Sequence, residues 1–529
     1  MNPKFDKKIA VVGLGGLFPD ARNVDQFWQN IITKKVSIRE MPEEMFESEL
    51  YYRPDLLTAI NKLEKSYTRI AAWIENMQYD TVRKYKIPPS MAERMDENQH
   101  AALYATDQAL QSNALQNVPK DRVGVILGNG MVGTAYGDSL VRVQFQLIEH
   151  YLRQHPDFKK LSEKEQHEII EYVRANVLKG SVPINEDSAP GVLPNIIAGR
   201  IANVYDFHGP SFTVDAACAS VLAAITTGIQ GLYLNKYDAV ICGGSDMPLK
   251  QLGFIYFSAI NALSPDGSYP FDKRANGFVM GQGAGSVILK RLEDAVRDKD
   301  TIYAVITGFG EASDGKGKYI AAPNEEWQAR TIEQACRMAG YPVDTIEMIE
   351  AHGTATIVGD VVEVNALKRA FAALGAMKKN YCGLTSVKSN IGHLKSAAGI
   401  AGFIKAVLAI HHKMLPPTAS FKEINPKLQI EDSPFYIIDE AREWPAKKEH
   451  PRRANVSAFG FGGADYHVAL EEYREEDYRQ VMGIGFEAPK TQAVATVSVQ
   501  PSTKTESSQI IFFSGASSGI VSLYRQHVF

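Results

Sequence analysis

The stretch SFTVDAACASVLAAI (211–225) runs from a β-type segment, Phe212 to Val214, into small and apolar residues that suit a helix. Cys218 falls at the joint. A cysteine on such a turn faces the positive end of the helix dipole, which favours thiolate over thiol and suits a nucleophile for acyl transfer. The same context fits an inert buried thiol equally well, since free cysteine is among the most buried residue types.

The strand-then-helix pattern recurs outward from this point. Short apolar, β-rich runs stand at IAVVGL (9–14), VGVILG (123–128), DAVICGG (238–244), YAVITGFG (303–310), MIEAHG (348–353) and GLTSVKS (383–389), with helical patterns between them. Such alternation predicts an α/β protein with largely buried sheets. Similar material lies on both sides of about residue 300, which predicts two related halves. From Gly133 to Pro190 the chain turns helical and more polar, with Ser162 and Glu165 spaced as a capping box before Ile169, Ile170 and Val173. This reads as an insertion over the core, covering a channel, serving a subunit contact or simply solvated. After Tyr473 the chain changes again: Gln492–Gln509 is rich in Ser, Thr and Gln and reads as a flexible linker, and QIIFFSGASS (509–518) reads as the start of a further region.

The bulk composition narrows the function. With 529 residues, 45% hydrophobic and 22% charged, the chain suits a globular protein of several domain-sized units. Lys plus Arg number 57 against 61 for Asp plus Glu, a net charge of -4, so nucleic acid and anionic membranes are not expected partners. No run approaches the roughly 18 apolar residues that cross a bilayer. Cys218, Cys242, Cys336 and Cys382 are far apart; neither a disulfide framework nor a metal site is expected, and a reducing cytoplasm fits. Gly13-Leu-Gly-Gly lacks the full dinucleotide-binding pattern, so no nucleotide cofactor is expected.

Two histidines stand in loops after β-type runs. His352 lies in EAHGTATIVGD (350–360), and His393 lies in KSNIGHLKSAAGIAG (388–402), five residues after Lys388. A lone histidine in such a loop is more often structural than catalytic. These two sit where a sheet delivers residues to a cleft at the carboxyl ends of its strands. FGFGG (459–463) brings backbone N–H groups close to a ligand or makes only a tight turn.

Taken in order, these segments resemble the β-ketoacyl synthase domains of type I polyketide synthases and multifunctional fatty acid synthases, from about Lys8 to Glu472. The resemblance is carried by IAVVGLGGLFPDARNVDQFW (9–28), RMDENQHAALYATDQAL (94–110), GRIANVYDFHGPSFTVDAACAS (199–220), LSPDGSYPFDKRANGFVMGQGAG (263–285), EAHGTATIVGD, VKSNIGH (387–393) and VSAFGFGGADYHVAL (456–470). It implies a thiolase fold, with two pseudo-repeated βαβαβαββ halves in a five-layered αβαβα core. One half spans 1–300 and carries the nucleophile, with the insertion at about 133–190. The other spans 301–472 and carries both histidines, and 473–529 is a linker leading into the next region.

The resemblance also implies roles. Cys218 would be the acylated nucleophile, His352 and His393 the pair acting on a malonyl-type extender, and Lys388 a supporting cation. The N–H groups of Cys218 and Phe461 would form the oxyanion hole, with Phe461 also gating the pocket, and Thr354 and Thr356 would hold a phosphopantetheine arm. The expected reaction is acyl transfer to Cys218 and then decarboxylative Claisen condensation, with no bound cofactor or metal. Expected partners are an acyl carrier protein, neighbouring domains of a synthase and a second copy in a homodimer. Alternatives are a non-elongating, transacylating ketosynthase and a structural docking module. Thiolase itself would need a second catalytic cysteine near FGFGG, and none is there. The chain departs from the family pattern at Ala355, Gln282 and Ala464-Asp465-Tyr466, where glycine, glutamate and Thr-Asn-Ala are usual. Gly402 resembles the multidomain synthases, since free-standing enzymes commonly carry glutamate there. DAACAS, DGKGK (314–318) and SYTRIAAWIENMQYD (66–80) are similar to polyunsaturated fatty acid synthases.

Overall fold

The computed structural model describes residues 8–130, 133–317 and 319–477. The first five strands of the main sheet are β1 (Ile9–Leu17), β2 (Val123–Gly128), β3 (Ser211–Val214), β4 (Ala239–Asp246) and β5 (Gly283–Arg291). Six more follow: β6 (Ala304–Ser313), β7 (Met348–Glu350), β8 (Cys382–Thr385), β9 (Phe435–Ile437), β10 (Arg453–Gly460) and β11 (Ala464–Glu471). The helices that matter for the site and its setting are α1 (Glu97–Leu110), α2 (Thr134–Gln154), α3 (Glu163–Val177), α4 (Asn195–Tyr205), α5 (Ser220–Tyr233), α6 (Glu325–Ala339), α7 (Gly359–Ala373) and α8 (Ala398–His412).

The eleven strands run in the order β9-β8-β7-β10-β11-β6-β1-β5-β4-β2-β3. Each half repeats one pattern. In the first, β2 is parallel to β3 and β4, while β5 is antiparallel to β4 and β1. In the second, β7 is parallel to β8 and β10, while β11 is antiparallel to β10 and β6. The halves meet where β1 pairs with β6, and β9 adds a parallel strand outside β8.

Helices α5 and α8 pack against each other and against strands of both halves, while α1 and α4 cover the outside of the first half and α6, with α7 beside it, the outside of the second. This is the five-layered arrangement the resemblance implied. Helix α8 is buried from Ala398 through Ile410. Its all-round apolar surface is what a helix enclosed between two sheets requires.

Glycines repeat with the strands. A Cβ on Gly15 would lie 1.9 Å from the Ala105 carbonyl and one on Gly13 2.7 Å from that of Ala109; in the second half Gly310 meets Thr331 at 1.9 Å and Gly308 meets Ala335 at 2.3 Å. Both first strands thus give up side chains so that an outer helix can lie against the backbone. That close approach accounts for the glycine cluster after residue 12, which β1 carries as one buried strand.

Ser162 and Glu165 form the expected capping box at the start of α3. Helices α2 and α3 pack together and bury only Phe145 and Ile170 of their own side chains. The Ser/Thr/Gln-rich stretch at 492–509 and the run at 509–518 lie outside the described residues, as does Lys318 of DGKGK. No described helix is long and apolar enough to cross a membrane.

Candidate active site

Cys218 stands where β3 turns into α5, within a 3-10 turn over Ala217–Ala219. Ala217 just before it is left-handed, at φ 50°, a conformation a β-carbon disfavours by roughly 1–2 kcal/mol. The Asp215 carboxylate holds the turn by accepting the Ala217 N–H at 2.9 Å. The second half repeats the device: a 3-10 turn over Lys395–Ala397 precedes α8, and Lys395 is at φ 50°. There the buried Asp246 carboxylate takes the Lys395 ammonium at 2.9 Å and the Ser396 hydroxyl at 2.7 Å.

His352 follows β7 and His393 follows β8, so both leave the carboxyl ends of parallel strands as their loops predicted. Their rings lie 5.5 Å apart, centroid to centroid, and His393 also packs 5.2 Å from Phe278. Cys218, His352, His393, Thr354, Thr356 and Phe461 all line one cavity of about 490 Å³. Lys388 is buried behind this wall. The Thr354 and Thr356 hydroxyls are 3.1 Å apart on it. FGFGG is the tip of the β10–β11 hairpin. Its Phe461 is 52% exposed, whereas its backbone N–H hydrogen-bonds the Cys218 sulfur.

The charges follow from burial. Burial, reinforced by the Lys388 ammonium, holds both imidazoles well below the ordinary histidine range, so both are neutral near pH 7. His393 Nδ1 accepts the Lys395 N–H at 3.0 Å, which places the proton of the neutral ring on Nε2. His352 Nδ1 has no partner among the described residues. Lys388 is lowered by burial and held up by Glu350, Glu363, Cys218 and Asp360. For Cys218 the expected depression is outweighed: burial pushes the thiol up, and the Phe461 N–H and Lys388 oppose it. Cys242, Cys336 and Cys382 are buried free thiols, as their contexts predicted.

Three acidic residues near the site went unread in the sequence. Glu363 accepts the N–H groups of His352 and Gly353 at 2.7 and 2.8 Å, and Asp360 accepts those of Ala355 and Phe271 at 3.0 and 2.8 Å. Burial pushes each carboxyl up to about 7. Their spacing in GDVVE, three apart at the start of α7, was the signal available. Glu350 accepts the Val387 N–H at 2.6 Å and pairs with Lys405 at 2.9 Å. A Cβ on Gly402 would come within 3.1 Å of its Cγ, so the side chain of Glu350 fills the space beside that glycine. Ala355, where glycine is usual, is left-handed at φ 62°.

The description "Beta-ketoacyl synthase, N-terminal domain" matches residues 6–295, and "Beta-ketoacyl synthase, C-terminal domain" matches 303–422. Polyketide synthase PksN of Bacillus subtilis is 32% identical over 88% of this chain, and one subunit of the polyunsaturated fatty acid synthase of a Thraustochytrium species is 32% identical over 90%. The chain spans 8% and 17% of the length of these two curated relatives. Among solved structures, a ketosynthase from module 6 of the bacillaene synthase of Bacillus subtilis 168 is similar with a TM-score of 0.72 and 31% identity, over 88% of this chain and 72% of that one. An oxazolomycin ketosynthase domain from Streptomyces albus gives a TM-score of 0.74 at 28% identity, over 88% and 75%.

Proposed function

Because the chain belongs to the β-ketoacyl synthase family and has its thiolase fold, we propose that it takes an acyl group from a carrier-protein thioester onto Cys218 and extends it by decarboxylative condensation with a malonyl-type extender. The observation that carries this reading is the convergence of one thiol, two neutral imidazoles and the Phe461 N–H on a single cavity.

In the first half-reaction the Cys218 sulfur attacks the acyl carbonyl carbon. The oxygen takes the developing charge between the N–H groups of Cys218 and Phe461, the C–S bond to the carrier breaks, and the proton given up by the Cys218 thiol passes to the departing carrier sulfur, which leaves as the thiol. In the second, the extender loses its carboxylate as carbon dioxide, and the electron pair passes into the thioester as an enolate. His393 Nε2–H donates to the enolate oxygen, and His352 is the second donor. The enolate carbon then attacks the acyl group, and the Cys218 sulfur departs. The released carboxylate supplies the electron pair, so the sequence calls for no redox cofactor. Lys388 keeps the imidazoles neutral, and Thr354 and Thr356 hold the phosphopantetheine arm.

The same proposal includes an acyl carrier protein and neighbouring synthase domains as partners, a cytoplasmic location, thiolase-like halves at 1–300 and 301–472, and a linker region at 473–529. It includes a homodimer through β3, which among the described residues has only β2 beside it at the end of the sheet. A two-fold axis there would pair β3 with its copy. Light scattering should give a dimer at micromolar concentration. Intact mass spectrometry after incubation with a panel of acyl thioesters should show one acyl adduct mapping to Cys218; an adduct on Cys242, Cys336 or Cys382 would refute the assignment.

A further inference from the structure

Asp314 and Asp465 stand together in the cavity wall. The ladder of β6 and β11 pairs Asp465 with Ala312 and Ala464 with Ser313, so Asp314 is the first residue beyond it. The Asp314 N–H donates to the Gly463 carbonyl at 2.9 Å, and Gly463, at φ 85°, lies so close that a Cβ there would come within 2.7 Å of Asp314 Cβ. Asp465 is 1% exposed and Asp314 9%. One oxygen of each finds no donor elsewhere among the described residues, and the two carboxyls hydrogen-bond each other.

Two ionised carboxylates cannot make that bond, so a buried pair in contact retains one proton. Burial, and then the charge of Asp314, pushes Asp465 up to about 8. The neighbouring polar groups are Asn324 at the start of α6, Gln328 within it, and Glu311 on β6 beside Tyr466 on β11. No Lys, Arg or His among the described residues offsets either carboxyl. Asp465 roots the hairpin tip that carries Phe461, and Asp314 roots the loop that brings Tyr319 and Ala322 to the same cavity.

We infer that Asp314 and Asp465 share one proton that ties the Phe461 hairpin to the end of β6 and the start of the chain after it, making them positioning residues for the gate and for the Phe461 N–H. This rests on the role proposed above for Phe461. Loss of the shared proton sets two like charges against each other in a buried wall and parts the two roots, drawing the Phe461 N–H away from Cys218. An asparagine at 465 would donate to Asp314 at any pH.

The test follows Cys218 acylation by a short-chain N-acetylcysteamine thioester, read by intact mass from pH 6.5 to 9.5, in the wild type, Asp465→Asn and Asp314→Asn. Thiol ionisation is common to all three and cancels in the ratio of rates. The wild-type to variant ratio should fall about ten-fold as pH passes the titration of the pair, short of the 10²–10³ that outright loss of an oxyanion donor costs. A flat ratio overturns the inference. Hydrogen exchange of the wild type, corrected for intrinsic rates, provides a readout that needs neither variant nor acylation. Protection of 460–463 and 319–323 should fall over the same pH range while β7 is unchanged, and unaltered protection also overturns the inference. Failure of Cys218 to acylate at any pH would instead refute the proposed chemistry, leaving hydrogen exchange to decide on the pair.

Discussion

The imidazoles of His352 and His393 meet edge to face, ring planes 86° apart and centroids 5.5 Å apart. Protonated together they would repel across that distance. Held neutral by burial and by Lys388, they bring two N–H donors to one cavity without a charge that would oppose the second ring.

Replacing the nucleophile should divide the two half-reactions. Cys218→Ala should lose the acyl-enzyme and all condensation, yet still release carbon dioxide from a malonyl thioester, because both imidazoles remain. His393→Ala should show the opposite bias, still self-acylating while decarboxylation falls about 10²–10³-fold with one donor gone. Intact mass and carbon dioxide release read the two halves separately. Condensed product from Cys218→Ala would rule the assignment out.

Decarboxylation by Cys218→Ala should persist as pH falls through 6.5, where a histidine of ordinary pKa would already be half protonated. Both folded values are depressed, so the unfolded chain takes up more protons than the native one beneath about 6.5. Stability is therefore complete above that pH and is lost as acid is added. His467, pushed down to about 3 by burial, adds to the same loss. Carbon dioxide release and thermal melting across pH 5–8 should show steady activity beside a falling midpoint. Activity that halves near pH 6.5 would contradict neutral histidines.

Ala355→Gly should raise the unfolding midpoint, since a buried alanine at φ 62° bears a strain of about 1 kcal/mol that glycine does not. The larger entropy of an unfolded glycine offsets part of this. A lowered midpoint would mean that the alanine methyl contributes packing exceeding its strain.

Gly15→Ala and Gly310→Ala should each destabilise by about 1–3 kcal/mol or more, because the added methyl meets a helix carbonyl and neither backbone can yield cheaply. Gly137→Ala, on α2 with nothing within 4 Å of its Cβ, should instead stabilise by about 1 kcal/mol. Denaturant titration of the three variants compares them directly.

The strands that read as apolar runs in the sequence are the ones that deliver Cys218, His352 and His393 to the cavity, because strand ends are local features of the chain. From its residues alone the β10–β11 hairpin was legible as its FGFGG tip, and its strands entered only through the resemblance carried by VSAFGFGGADYHVAL. Its inner residues, Asn455, Ser457 and His467, are polar and buried, with both His467 ring nitrogens hydrogen-bonded, one to the Asn455 amide nitrogen and one to the Ser457 hydroxyl, so no continuous apolar run marks them. Partners remote in sequence were likewise hidden: Asp246 reaches Lys395, and Asp314 reaches Asp465, only once the sheet is built. The sequence left the Cys218 thiol open between reactive and inert for the same reason, since a dipole is local and burial is not.

Helix α8 has a consequence for how the protein is made. Gly399 lies against Val221 and Leu222 of α5, so closely that a Cβ there would stand 3.2 Å from Val221 Cβ. During synthesis α5 emerges some 180 residues before its cover, and at roughly 5–20 residues per second that is an interval of about 10–40 seconds. Until His412 has left the ribosome, the nascent first half presents an oily face with nothing to close it. The early chain is thus a natural client for a chaperone, and expression that slows translation between the two helices should increase aggregation.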